Sequence, residues 1–241
     1  MKPRVVIGYP CGGSVHPAFT KALLGLQRFE LTNPSPDYEL AAIEYSASLY
    51  VQENRNNLVQ WAIDDKHDWL LQLDTDESFE PTLLRQLMTT AMSGEPRHIV
   101  FGLYSNITQA PAQAEGAYYH IDMIYREIAS GEYMSMTPPT DMRPFMVDAA
   151  GSGILLTHMS IYQKIAYPWF WLEMIIPSNK TRPQIMNEDI AFCRAAREAG
   201  YQLWCDPLAE AKHYKTLALT PSTFRHFMER ARQVEAEMKA L

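Results

Sequence analysis

The sequence predicts a single α/β domain with a mostly parallel sheet flanked by helices. Short apolar, strand-like runs alternate with segments of helical periodicity through the first hundred residues, the pattern of a sheet covered on both faces. A length of 241 residues suits one sizeable core and is short for two. An acidic triplet, Asp74-Thr75-Asp76, directly follows the buried strand-like run Trp69-Leu70-Leu71-Gln72-Leu73. In an open α/β sheet that position faces the ligand crevice.

Arg4 to Tyr9 reads as the first strand, Pro10-Cys11-Gly12-Gly13-Ser14 as a turn, and Pro17 to Gln27 as a helix. Tyr38 to Tyr45 forms a second strand behind the breaker-rich Asn33-Pro34-Ser35-Pro36 loop. Leu58, Val59, Ala62 and Ile63 carry amphipathic helical spacing into the strand that ends at Asp74. Pro81 suits the first turn of a helix bearing Leu83, Leu84, Leu87 and Met88, and Ile99 to Tyr104 is the fourth strand. From Ser105 to Pro144 the periodicity weakens into an insertion of loops and short strands. Val147 to Ala150 and Ile154 to Thr157 read as short strands hinged at Gly151-Ser152-Gly153, and Ser160 to Ile165 as a helical turn or two. Asn187 is a plausible N-cap for a helix that stops at Gly200, and Tyr201 to Cys205 is strand-like, ending at Asp206-Pro207. A last helix, Pro221 to Ala240, places Phe224, Phe227, Met228, Ala231, Val234, Met238 and Leu241 on one stripe, which packs on the domain or makes a homodimer contact. The expected organisation is one domain over 1–241: a nucleotide-binding half at 1–104, an acceptor and catalytic half at 105–220, and a C-terminal helix at 221–241.

An apolar content of 47% with 11 Gly and 16 Pro is that of a globular protein, and a net charge of −7 argues against binding nucleic acid through overall charge. The apolar run Val5-Val6-Ile7 is too short for a signal-peptide core, and Tyr167 to Ile176 is broken by Pro168 and Glu173, so no membrane span is expected. Three cysteines without metal-type spacing fit reduced thiols and a cytoplasmic location. The sequons at Asn106 and Asn179 are read as accidental.

A nucleoside diphosphate needs a cationic or metal clamp, a surface for its base and acceptors for its ribose. Asp74 and Asp76 supply carboxylates for a hard cation. Tyr9, Pro10 and Cys11 end the first strand and Glu44 ends the second, where an acid accepts from ribose or base donors. Arg55 and Asn56, at a helix start, are either solvated or in reach of the nucleotide or the carboxylates. Gly12-Gly13 permits close backbone approach without being a dinucleotide fingerprint. His213 is a structural histidine or completes an oxygen-rich shell for Mn2+. Glu188 and Asp189 either favour the positive end of their helix or supply a general base. Trp169, Phe170 and Trp171 are core or a stacking platform for a sugar or base.

Taken in order, Tyr9-Pro10-Cys11, Arg55-Asn56-Asn57, Leu73-Asp74-Thr75-Asp76, Gly151-Ser152-Gly153-Ile154-Leu155-Leu156, Asn187-Glu188-Asp189, Gly200-Tyr201, Asp206-Pro207 and His213 resemble GT-A fold glycosyltransferases of the family 2 type over most of the chain. The resemblance implies a Rossmann-like GT-A sheet and sugar transfer from a nucleoside diphosphate sugar with Mn2+ or Mg2+. It implies that Asp76 and His213 ligate the ion, that Asp74 orients the ribose and reaches the ion through water, that Asp189 is the base of an inverting displacement, and that Gly151 to Gly153 line the sugar and acceptor side. Segments 105–144 and 167–186 match no general pattern of the family, so the acceptor stays open among a glycan, a small molecule and a modified DNA base. The last follows from a further resemblance of Pro10 to His16, with Phe192-Cys193, to small phage-encoded members, for which Arg126, Arg143, Lys180, Arg182, Arg225, Arg230 and Arg232 are candidate phosphate contacts. The rival readings are a nucleotidyltransferase, for which Gly12-Gly13 without an adjacent Lys is a poor triphosphate cradle, and a non-catalytic nucleotide-sugar-binding module.

Overall fold

A computed structural model describes residues 2–109, 117–120 and 123–216, together with positions 225, 228, 229 and 232. In chain order the elements are β1 (Arg4–Pro10), α1 (Pro17–Thr32), β2 (Glu39–Ser46), α2 (Val51–Asp64), β3 (Trp69–Leu73), β4 (Glu77–Phe79), α3 (Leu83–Met92), β5 (Ile99–Tyr104), β6 (Asn106–Gln109), β7 (Ala117–His120), β8 (Ile124–Glu127), β9 (Tyr133–Ser135), β10 (Phe145–Val147), β11 (Ala149–Ala150), β12 (Ile154–His158), a 3-10 turn (Met159–Gln163), β13 (Glu173–Ile175), β14 (Gln184–Met186), α4 (Glu188–Glu198) and β15 (Leu203–His213). Most of the C-terminal helix expected at Pro221 to Ala240 lies outside the described residues.

The central sheet has the order β10-β15-β5-β12-β3-β1-β2, with β4 paired to β15. Strands β2, β1, β3, β5 and β15 share one direction, because β1 is parallel to both neighbours, β15 is parallel to β5, and β12 runs antiparallel between β3 and β5. Side-chain alternation divides the core. Val5, Ile7, Leu71 and Leu73 pack with Phe19 and Leu26 of α1 and Leu84 and Leu87 of α3 on one face. Val6 and Leu70 pack with Leu58 and Val59 of α2 and Phe192, Cys193 and Ala196 of α4 on the other. Each fully buried Leu or Phe contributes about 2 kcal/mol through loss of apolar surface to water.

Helix α1 starts with Pro17 in its first turn and with His16 Nδ1 accepting from the Ala18 N–H at 3.2 Å. It passes the expected end at Gln27 and reaches Thr32, because Phe19, Ala22, Leu26 and Glu30 continue one buried face and no breaker intervenes before Asn33-Pro34. Strand β15 likewise runs past Cys205. A bulge between Asp206 and Glu210 absorbs Pro207 while pairing with β5 resumes at Glu210↔Leu103. The buried Asp206 carboxylate holds that bulge, accepting from Thr90 Oγ1, Gln86 Nε2 and the Leu208 N–H. The extension then pairs with β4 in the register His213↔Glu77. The insertion after β5 contributes the hairpin β6–β7 and the strands β8 and β9, which form a small sheet with β11, and β13–β14 forms a separate hairpin.

Candidate active site

The β15 extension and the turn after β3 build the site together. The Asp74 N–H donates to the Gly153 carbonyl at 2.9 Å, the Thr75 carbonyl accepts from the His16 N–H at 2.9 Å, and the Asp76 carbonyl accepts from the Tyr214 N–H at 2.8 Å. Three separate parts of the chain thereby fix the backbone of one acidic triplet. Its side chains diverge. Asp74 Oδ1 lies 2.9 Å from Arg55 Nη2, whereas Asp76 Oδ2 faces His213 Nε2 at 3.2 Å and Lys215 Nζ at 2.7 Å. Partial burial works against the Asp76 charge, but His213 and Lys215 outweigh it and hold the carboxyl well below the usual range.

His213 is held on two sides. Its Nδ1 meets the Ser105 carbonyl at 2.9 Å, and the Tyr104 ring stands edge-on to its ring at 5.3 Å. A carbonyl only accepts, so Nδ1 carries the hydrogen and Nε2 is the nitrogen presented to Asp76.

Arg55 lies at the other side of Asp74. It is 2% exposed, donates from Nη1 to the Ser152 carbonyl at 3.1 Å, and brings Nε to 3.5 Å from Glu188 Oε1. Burial opposes its charge, but Asp74, Glu188 and Asp189 outweigh burial and keep the guanidinium protonated. Asp189, in the first turn of α4, has its carboxyl pushed up to about 6 by burial and by the neighbouring Glu188 charge, with Arg55 pulling the other way. A carboxyl in that range is ionised near neutrality and basic enough to take a proton.

The structure thus brings Arg55, Asp74, Glu188 and Asp189 into one electrostatic group and Asp76 and His213 into another. Tyr9, Cys11 and Glu44 stand partly exposed at the carboxyl ends of β1 and β2, with the Tyr9 and Tyr45 rings stacked at 5.8 Å. Pro10 is buried. Two expectations change. Asn56 does not face the crevice: its Oδ1 accepts from the Trp169 and Phe170 N–H groups and its Nδ2 donates to the Phe170 carbonyl, anchoring the aromatic loop to α2. Trp169 and Phe170 are accordingly core, Phe170 stacking on Phe192 at 4.6 Å, while Trp171 keeps partial exposure. Gly151 and Gly153 are buried and do not line a surface. A Cβ on Gly153 would overlap Glu77 Oε1, and one on Gly151 would overlap the Tyr104 hydroxyl, so their smallness serves close packing.

Sequence reasoning missed Glu77, Tyr104, Ser105 and Lys215. Glu77 is fully buried beneath the triplet, its carboxyl pushed well above the usual range by burial and then by Asp74 and Asp76. Lys215 had a signal. Residues i and i+2 of an extended segment share a face, so a lysine two places after a candidate ligand points where that ligand points.

No family model matches the chain, and no curated protein matches it. Among solved structures, A197 from STIV matches with a TM-score of 0.52 at 18% identity, over 88% of this chain and 86% of that one. GalNAc-T7, solved with UDP, GalNAc and Mn2+, matches with a TM-score of 0.53 at 10% identity, over 94% of this chain and 47% of that one. The chain has a GT-A fold. Among its described residues no helix is long and apolar enough to cross a membrane.

The GT-A fold raises the question of a divalent cation, and the donor atoms fit one. His213 Nε2 and Asp76 Oδ2, 3.2 Å apart, are donor atoms of the kinds Mn2+ takes, and Lys215 Nζ at 2.7 Å already places a positive charge at that oxygen. Among the described residues no third His, Cys, Asp or Glu completes a cluster with these two. One carboxylate and one imidazole, with water and phosphate oxygens filling the remaining positions, suit Mn2+ or Mg2+ held together with a nucleotide.

Proposed function

We propose that this chain is a glycosyltransferase that moves a sugar from a nucleoside diphosphate sugar to an acceptor hydroxyl with inversion. The observation that carries the reading is the division of acids around the β3 end. Asp76 opposes His213 on one side of the triplet, and Arg55 ties Asp74 to Glu188 beside Asp189 on the other. The likeness to GalNAc-T7, whose structure holds UDP and Mn2+, supports a nucleotide-sugar donor.

Asp76 and His213 would hold the cation, and such an ion would supply positive charge to offset that of the diphosphate. Tyr9, Cys11 and Glu44 receive the base and ribose at the ends of β1 and β2, and Asp74, fixed by Arg55, orients the ribose. Asp189 accepts the proton of the acceptor hydroxyl. The acceptor oxygen bonds to the anomeric carbon as the bond from that carbon to the phosphate oxygen breaks, and the electron pair leaves with the nucleoside diphosphate. Burial and the Glu188 charge raise the Asp189 carboxyl to about 6, and Arg55 limits that rise. Residues 1–104 form the nucleotide-binding half and 105–220 the acceptor and catalytic half, from which His213 reaches back to Asp76.

Arg126, Arg143 and Lys180, candidates for a local track on DNA, each pair with a carboxylate: Asp148, Asp141 and Glu132 respectively.

A thermal-shift screen of nucleoside diphosphate sugars with and without Mn2+ tests the reading, since a ligand of the native state raises its melting temperature. One donor is expected to stabilise the protein only with Mn2+ present. Preference for a nucleoside triphosphate points instead to nucleotidyl transfer, and donor binding without transfer or hydrolysis to a binding module.

A further inference from the structure

We propose that Lys215 is a resident cation of the metal position, displaced when a divalent ion binds; the proposal rests on reading Asp76 and His213 as the metal pair. Lys215 Nζ lies 2.7 Å from Asp76 Oδ2, the same oxygen that faces His213 Nε2 at 3.2 Å. The ammonium therefore supplies positive charge at the oxygen a divalent ion takes. An ion bound there lies a few ångströms from the ammonium, and the two like charges cannot share the oxygen without strong repulsion.

The backbone beneath Lys215 is built to stay while the side chain leaves. The Tyr214 N–H donates to the Asp76 carbonyl at 2.8 Å, the Tyr214 hydroxyl meets Ser78 Oγ at 3.0 Å, and the Tyr214 ring stacks on His16 at 4.2 Å. Lys215 itself carries a long, flexible stem with 37% of its side chain exposed. Exchange of one cation for another thus needs side-chain rotation only. Before the ion arrives, the ammonium keeps the Asp76 carboxylate compensated and aimed. After it arrives, the ammonium is released from Asp76. The consequence is that ion binding is opposed by Lys215, so the site discriminates against metal alone.

Titration of Mn2+ into the intact chain, followed by the loss of the free-ion paramagnetic resonance signal with no nucleotide present, tests this. Lys215→Gln is expected to bind Mn2+ about fivefold more tightly than the wild type, the scale set by one partly exposed ion pair. Lys215→Arg, which keeps the charge, is expected to bind no more tightly than the wild type. Equal affinity of Lys215→Gln and wild type, or tighter binding by both variants, overturns the role of Lys215 and leaves the metal pair standing. Absence of Mn2+ binding in all three proteins even after a nucleoside diphosphate is added overturns the metal pair and this inference with it.

Discussion

Nη2 of Arg55 lies 2.9 Å from Oδ1 of Asp74, and the same guanidinium reaches Glu188 and the Ser152 carbonyl. One buried cation therefore compensates acids from the turn after β3 and from α4. Replacing it by Met leaves the carboxylates facing each other in a half-buried site. Breaking a buried pair by removing one partner costs about 3 kcal/mol or more. Urea denaturation of Arg55→Met is expected to show that loss as a lower midpoint with an unchanged slope. A loss of under about 1 kcal/mol would mean that the acids relax into solvent and that Arg55 does not organise the site.

Asp189 carries the pH dependence. Its folded value, pushed up to about 6, lies above the ordinary carboxylate value, so the folded chain binds this proton more tightly than the unfolded chain does. Its contribution to stability is present below the unfolded value and is lost as pH rises through about 6. Catalysis has the opposite slope. A base must be ionised, so kcat/KM is expected to fall tenfold per pH unit below about 6 in the wild type. Asp189→Asn is expected to retain donor binding and lose about 10²- to 10⁴-fold in turnover. Near-normal turnover in that variant removes Asp189 as the base.

Periodicity made the sheet and its helices legible because β1, β3 and α3 are buried on the pattern their own residues show. It could not reveal β4, whose three residues Glu77–Phe79 become a strand only by pairing with the distant β15 in the register His213↔Glu77. Asn56 was misplaced for a related reason. A polar side chain on a helix reads as solvated unless the loop it caps is known, and that loop lies 113 residues on at Trp169. Gly151 and Gly153 were legible as special positions but not as packing positions, since the neighbours that demand them, Tyr104 and Glu77, come from other strands.

Gly153 separates packing from lining. A Cβ there overlaps Glu77 Oε1 and falls 2.8 Å from Tyr104 Cζ, and its carbonyl holds the Asp74 N–H. Overpacking of this kind costs about 1–3 kcal/mol. Gly153→Ala is expected to lower the melting temperature and weaken donor binding together. Gly12→Ala, where the nearest atom is the Ser48 carbonyl oxygen at 3.9 Å, is expected to leave stability unchanged within about 0.5 kcal/mol. Equal tolerance at both positions would show that Gly153 is not held against Glu77 and Tyr104.

Asp76 offers the cleanest reading of the cation site, because its side chain is 40% exposed and its partner Lys215 37% exposed. Removing a pair so open to solvent costs under about 1 kcal/mol, which leaves the fold intact. Asp76→Ala is therefore expected to melt within a few degrees of the wild type while losing the Mn2+-dependent part of nucleoside diphosphate binding by calorimetry. The backbone contacts of the triplet survive, since the Asp76 carbonyl still accepts from the Tyr214 N–H. Any loss then belongs to the carboxylate and not to the turn that carries it. Unchanged affinity with Mn2+ present would place the cation elsewhere and sink the pairing of Asp76 with His213 as its ligands.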